Sequence, residues 1–236
     1  MSEKDTGKEI SRREFVGTAA TAAAGLTILP SSFASGTRQA APSDRLNIAG
    51  VGVGGYGRTN LKNMASENIV ALCDVDWKYA QACFGDYPGA KRYRDWRRMF
   101  DEMQDSIDAV VIATADHTHA SIAAHAMTLG KHVYVQKPLT HSVYESRLLT
   151  KLAQNYKVAT QMGNQGSSGE GIRQVAEWIW TGEIGKVKKV EAFTDRPIWP
   201  QGLNRPSLEM QVPDTLDWDL FTGPAPMRPY NEIYTP

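Results

Sequence analysis

This sequence is poor in the residues that would commit it to several common protein classes. Cysteine occurs only at Cys73 and Cys83, which rules out a disulfide-built scaffold and leaves no cysteine spacing for a metal site. Cys73 falls in a strand-like stretch and reads as a small buried apolar side chain, and no disulfide to Cys83 is expected. Neither sign of charge is in excess: 26 Lys and Arg balance 26 Asp and Glu. That balance gives no support to binding of nucleic acid or to attraction by an anionic membrane, and no basic recognition helix is present. Long apolar runs are missing too. The best candidate, residues 16–29, falls short of the roughly 20 residues a helix needs to span a bilayer, and Pro30 closes it.

What stands at the N-terminus instead is "SRREFVGTAATAAAGLTILP", residues 11–30. Paired Arg12 and Arg13, an aromatic residue and a weakly apolar run have the form of a twin-arginine export signal, which carries proteins across a membrane already folded. Small residues at Ser32 and Ala34 predict cleavage after Ala34. Residues 1–34 are therefore read as the signal, residues 35–44 as a linker, and the periplasm as the destination.

From Arg45 the pattern alternates between short apolar runs and amphipathic segments. "LNIAGVGV", "NIVALCDVD", "IDAVVIATA", "KHVYVQKP" and "KVATQMG" read as strands. "RTNLKNMAS", "WKYAQACFG", "DWRRMFDEM", "HASIAAHAMTLG" and "SRLLTKLAQNY" read as helices. Asp95 is expected to cap the third of these, with Trp96, Met99 and Met103 along one side. Strands buried on both faces and separated by helices imply an α/β domain with a parallel sheet, placed at residues 45–166. Beyond Gly166 a helix ending near Gly182, then a strand carrying Val187, Val190 and Phe193, lead into loop-rich sequence. Residues 167–236 are read as the incomplete start of a second domain, since roughly 70 residues rarely sustain a core alone.

"GVGGYG" places Gly52, Gly54 and Gly57 as G-x-G-x-x-G directly after a strand and at the start of a helix. The first glycine permits the tight turn, the second lets backbone approach a pyrophosphate, and the third lets helix and strand pack closely. Val53, Gly55 and Tyr56 fill the loop, and the helix N-terminus offers unpaired N–H groups to phosphate. Asp74, about 20 residues on at the end of the next strand, suits the two ribose hydroxyls. A carboxylate there repels a 2′-phosphate, which favours NAD over NADP.

In an open parallel sheet ligands bind beyond the carboxyl ends of the strands. Thr114 and Asp116 stand there after one strand, Gln136, Lys137 and Pro138 after the next, and Asn164 after the last. "VGVGGYG", "ALCDVD", "ATADHTHA", "HVYVQKPL" and "QMGNQG", in this order, resemble the nucleotide-binding half of the glucose–fructose oxidoreductase / inositol dehydrogenase / MocA family. The resemblance runs from about Leu46 to the end of the chain, and "TLDWDLFTGPAP" is similar to the start of the substrate domain in that family's periplasmic branch. It implies a Rossmann domain followed by an α+β substrate domain, an NAD-dependent oxidoreductase, and a sugar, polyol or derivative as substrate. It makes Lys137 the catalytic residue, orienting substrate and moving a hydroxyl proton, a task a desolvated lysine performs near neutrality. It also sets His119 near the cofactor pocket, where the residues alone suggest a cap or loop-packing role for His117 and His119. Gln136 replaces the family's usual glutamate, and Ala115 stands where proline is common.

Free NAD is made in the cytoplasm, so an exported NAD enzyme must take it up before crossing, and only a folded domain can hold it. The cofactor is then expected to stay bound and to be regenerated in place. Two alternatives stand beside this reading: redox-neutral glycoside cleavage through a keto sugar, and a non-catalytic nucleotide-binding fragment. Trp199 and Trp218 are candidates for stacking on a sugar ring, with packing an equal alternative. Expected partners are the export machinery and the small substrate. The resemblance also implies a homo-oligomer where the second domain is complete.

Overall fold

The computed structural model describes residues 44–195 and 202–235. The twin-arginine segment, the cleavage site after Ala34 and Trp199 lie outside the described residues.

Six strands form one parallel sheet: β1 (Asn47–Val51), β2 (Asn68–Cys73), β3 (Lys91–Tyr93), β4 (Ala109–Ile112), β5 (His132–Gln136) and β6 (Thr160–Gly163). Their spatial order is β3-β2-β1-β4-β5-β6. The chain thus starts in the middle, runs out to one edge, returns to the other side of β1 and runs to the opposite edge. Between β1 and β4 the winding reverses, which opens a crevice at the carboxyl ends of those strands.

Helices cover both faces. On one face Ala49, Val51, Ala71, Val110 and Ile112 pack against Met99 and Phe100 of α3 (Trp96–Met103) and Ile122 and Ala126 of α4 (His119–Thr128). On the other, Ile48, Leu72 and Val111 meet Leu61 of α1 (Gly55–Lys62) and Phe84 of α2 (Gln81–Asp86). Gly50 on β1 lets α1 come close: a Cβ there would sit 2.8 Å from Leu61 Cδ1 and Val53 Cγ1.

Local chemistry sets the helix ends. Asp95 caps α3 as expected, its carboxylate accepting from Arg97 N at 2.9 Å. A longer helix than expected, α5 (Val143–Tyr156), begins in a reciprocal capping box in which Ser142 and Glu145 each accept the other's backbone N–H.

Three departures from the expected elements have physical causes. The short strand β3 is an edge strand with polar sequence and so lacks an apolar run to announce it. "WKYAQACFG" gives a turn before the helix, because Asp76 Oδ1 accepts Lys78 N and Tyr79 N and fixes a local turn. Residues 187–193 form no strand; Val190 and Phe193 stand exposed, and none of the described residues pairs with them. A lone extended segment has no ladder hydrogen bonds to hold it.

After β6, α6 (Glu170–Trp180) ends before Gly182, whose φ is +82°. Residues 213–235, with the short helix α7 (Trp218–Thr222), pack back on the carboxyl ends of the sheet.

Candidate nucleotide-binding site

The glycine loop follows from backbone sterics. Gly52 has φ +76°, a left-handed conformation, and a Cβ on it would meet Thr114 N at 2.5 Å. Its N–H bonds Cys73 O at 2.8 Å, so the turn out of β1 is tied to the end of β2. Gly57 brings α1 against the loop: its Cβ would overlap the carbonyl oxygen of Gly52.

Asp74 shapes the same loop from the end of β2. Its Oδ2 accepts the amides of Val53 (2.8 Å) and Gly54 (3.0 Å), and its Oδ1 accepts Asp76 N at 3.0 Å. Burial pushes this carboxyl above the usual range, and the three amides oppose that shift. Oδ1 accepts one bond here and has capacity for another, so a ribose hydroxyl can still be received.

A cavity of about 290 Å³ lies over the crevice between β1 and β4. Gly52, Gly54, Tyr56, Asp74 and Thr114 all line it. Val53, Gly55 and Gly57 belong to the same loop behind or beside them. The wall also includes residues that the sequence pattern does not announce: Asp76, Tyr79, Arg94, and Leu216, Leu220 and Phe221 from far along the chain. Arg94 directly follows β3, whose polar sequence carries no strand signal, so its place at the carboxyl end of the sheet is not legible locally. The last three carry no local signal, because their placement is a long-range contact.

That long-range wall is tied down at several points. Asp76 and Leu216 form an antiparallel bridge, Trp77 N bonds Thr215 O (3.1 Å), and Asp217 N bonds Val75 O (2.9 Å). Arg94 Nη1 donates to Thr215 O at 3.0 Å while its guanidinium lies 4.9 Å from the centre of the Trp77 ring. Across the crevice, His117 Nε2 lies 3.0 and 3.1 Å from the carbonyl oxygens of Phe221 and Thr222. The segment therefore straps the loop after β2 to the loop after β4.

The remaining expected site residues stand in four settings. Asp116 faces a neighbouring cavity with His117, His141 and Glu145 rather than the one over the glycine loop. His119 is 1% exposed, and its ring nitrogens lie 2.7 Å from Pro138 O and 3.0 Å from Thr114 O, so it braces the loops after β4 and β5. Gln136 is buried, and its Oε1 accepts from Asn60 Nδ2 and Gln165 Nε2, each at 3.2 Å. Lys137, Pro138 and Asn164 sit exposed at the carboxyl ends of β5 and β6, outside the cavity lining. Ala115, where the family commonly has proline, holds φ −63°, the angle proline would impose.

Trp218 stacks on Phe221 (centroids 5.2 Å apart) and Tyr234 (6.0 Å), and its Nε1 donates to Arg228 O. Its ring is engaged in packing the strap. Both cysteine thiols are free and buried, and burial pushes the Cys83 thiol up to about 11 and that of Cys73 well above its ordinary value. Among the described residues no cluster of His, Cys, Asp and Glu could hold a metal ion, and no helix is long and apolar enough to cross a membrane.

A doubly wound parallel sheet, a glycine turn at its switch point and an acidic residue ending β2 define a dinucleotide-binding domain. Residues 46–164 match the profile of the oxidoreductase family with NAD-binding Rossmann fold, GFO/IDH/MocA, and the chain belongs to that family. Among curated proteins it is similar to inositol 2-dehydrogenase of Salmonella typhimurium, 29% identical over 142 residues, covering 58% of this chain and 42% of that protein. It is also similar to a glycosyl hydrolase family 109 protein of Shewanella pealeana, 26% identical over 208 residues, covering 78% of this chain and 46% of the other. The chain thus spans less than half the length of these relatives. Among solved structures, scyllo-inositol dehydrogenase from Lactobacillus casei with bound NAD(H) and scyllo-inositol shares the fold. Its TM-score is 0.53 at 22% identity, over 60% of this chain and 42% of that one.

The residues fit an NAD cofactor. Gly52 turns where no side chain could, the amides at the start of α1 head a helix, and Asp74 keeps an acceptor in reserve. One side chain crowds this cradle: a Cβ on Gly54 would overlap Cδ1 and Cε1 of the Tyr79 ring.

Proposed function

We propose that this chain is the nucleotide-binding part of an exported oxidoreductase that acts on a sugar, polyol or derivative and keeps its NAD bound between turnovers. In this reading residues 45–166 bind the cofactor and residues 167–236 begin the substrate domain. The single observation that carries it is the cavity over the glycine loop, walled on its far side by the strap at residues 213–235. A dinucleotide held there would be enclosed by chain from both ends of the domain, which favours slow exchange.

Bound NAD supplies a nicotinamide carbon that accepts or returns hydride. The chain's own part is to hold, orient and move protons. The N–H groups of Gly55 and Tyr56 at the start of α1 receive the diphosphate, since those of Val53 and Gly54 bond Asp74 and that of Gly57 bonds Gly54 O, and Asp74 receives ribose hydroxyls. His119 fixes the spacing of the loops that carry Thr114 and Pro138. Lys137, directly after the end of β5, orients a carbinol hydroxyl and takes its proton as the carbon is oxidised, then returns it on reduction. Gln136 keeps that edge in register through Asn60 and Gln165 without adding charge.

Export in a folded state follows the same logic. The paired arginines at residues 12 and 13 suit a route that carries a loaded domain out of the cytoplasm. A retained cofactor must be restored in place, by reducing a second substrate or by re-reducing the first.

A second reading is redox-neutral glycoside cleavage through a transient keto sugar. The 208-residue likeness to the glycosyl hydrolase family 109 protein, which runs over 78% of this chain, favours it. Product analysis separates the two, since cleavage leaves no net change in NADH.

The test is Lys137→Ala in the whole protein, assayed on a panel of sugars, polyols and glycosides. Turnover should fall about 10²- to 10⁴-fold while NAD content is unchanged. Unchanged turnover would remove Lys137 from the chemistry.

A further inference from the structure

One side chain in the cofactor site is accounted for by neither the fold nor the proposed chemistry. Tyr79 lies on the turn after β2, 44% exposed, with its ring across the glycine loop. A Cβ on Gly54 would overlap the ring edge, and a Cβ on Gly55 would overlap the phenolic oxygen. The two glycines are bare on the side where Tyr79 rests. That is also the side the second glycine of such a loop leaves open for a dinucleotide's diphosphate.

We propose that Tyr79 competes with the diphosphate for the face of Gly54 and Gly55, and so sets how fast and how tightly the cofactor is taken up. The inference rests on the NAD-binding reading above.

The backbone beneath Tyr79 cannot swing away cheaply. Asp76 Oδ1 accepts both Lys78 N and Tyr79 N, Ala80 N bonds Asp76 O at 3.0 Å, and the Asp76–Leu216 bridge pins the start of the turn. Movement therefore falls to the side-chain torsions of Tyr79, which its exposure permits. The diphosphate and the ring use the same surface in different ways. The diphosphate would take the N–H groups of Gly55 and Tyr56, beside the surface the ring covers; the ring uses the apolar Cα surface that two adjacent glycines present. Loading thus forfeits one aromatic contact, of a size that corresponds to about two- to tenfold in affinity. An aliphatic or small residue at position 79 would leave the cradle permanently open.

The experiment uses the full chain stripped of nucleotide, as wild type, Tyr79→Ala and Tyr79→Phe, with NAD association and dissociation followed by stopped-flow fluorescence. Tyr79→Ala should bind about two- to tenfold more tightly, with the gain in the association rate. Tyr79→Phe keeps the ring and should behave as wild type. A melting curve on each variant verifies that the fold is kept. Wild type that fails to bind beside a Tyr79→Ala variant that binds would support the proposal in its extreme form. Equal binding by all three proteins, or weaker binding by Tyr79→Ala, would overturn it and leave the NAD reading intact. Binding by none of them would overturn that reading and the inference together.

Discussion

Gly57 lies so close to the carbonyl oxygen of Gly52 that a Cβ on the helix residue would overlap the loop oxygen. This contact joins the first and third glycines of the loop, and with them α1 to β1. A backbone atom is on the other side, so no side-chain rotation relieves the clash.

Gly57→Ala is therefore expected to cost about 1–3 kcal/mol of stability and to weaken NAD binding, read by thermal unfolding and by titration. Gly85, inside α2, is the control. A Cβ there meets nothing within 4 Å, so Gly85→Ala should leave NAD binding unchanged and stabilise by up to about 1 kcal/mol.

The strap hangs on Arg94. Replacing it with alanine removes the bond to Thr215 O and the contact with Trp77, at a cost of about 1–2 kcal/mol to the docked segment. Hydrogen exchange should quicken at Trp77 N and Asp217 N, the two amides that close the strap on the loop after β2. Release of NAD should accelerate in parallel. Exchange unchanged at both amides would mean that the Asp76–Leu216 bridge holds the segment without Arg94.

Both thiols are held protonated by burial, Cys83 up to about 11 and Cys73 in the same direction. In the unfolded chain they ionise at about 8.5. The folded values are raised, so their contribution to stability is complete below the unfolded value and is lost as pH rises through the folded one. The melting temperature should therefore decline from about pH 8.5 towards pH 11. Cys83→Ala should flatten part of that alkaline limb. Thiol reagents at neutral pH should label neither residue until the protein is denatured.

What the sequence makes legible here is what backbone geometry and burial periodicity dictate. Gly52 must be glycine to turn at positive φ, and Asp74 must follow an apolar strand to reach that turn, so their spacing carries the fold and the cradle together. The continuous apolar runs of β4 and β5 likewise state that both faces are buried. The edge strand β3 carries only "KRY" and has no such run. The pairing of Asp76 with Leu216 depends on two surfaces that meet late, and nothing near either residue announces it. The β-branched and aromatic residues Val187, Val190 and Phe193 suggest a strand, but they are spaced by three rather than two, and the segment finds no strand partner among the described residues. Tyr79 illustrates the last kind of gap: an exposed tyrosine in a turn is unremarkable until its ring is seen resting on two glycines.

Whether the folded chain holds NAD is read directly from its nucleotide content. The full chain is purified without added nucleotide and denatured, and the supernatant is analysed by mass spectrometry for NAD and NADP. Near-stoichiometric NAD with little NADP is the expected result, and it would support both the Asp74 assignment and the case for folding before export. A protein that emerges empty and also fails to bind added NAD would contradict the account.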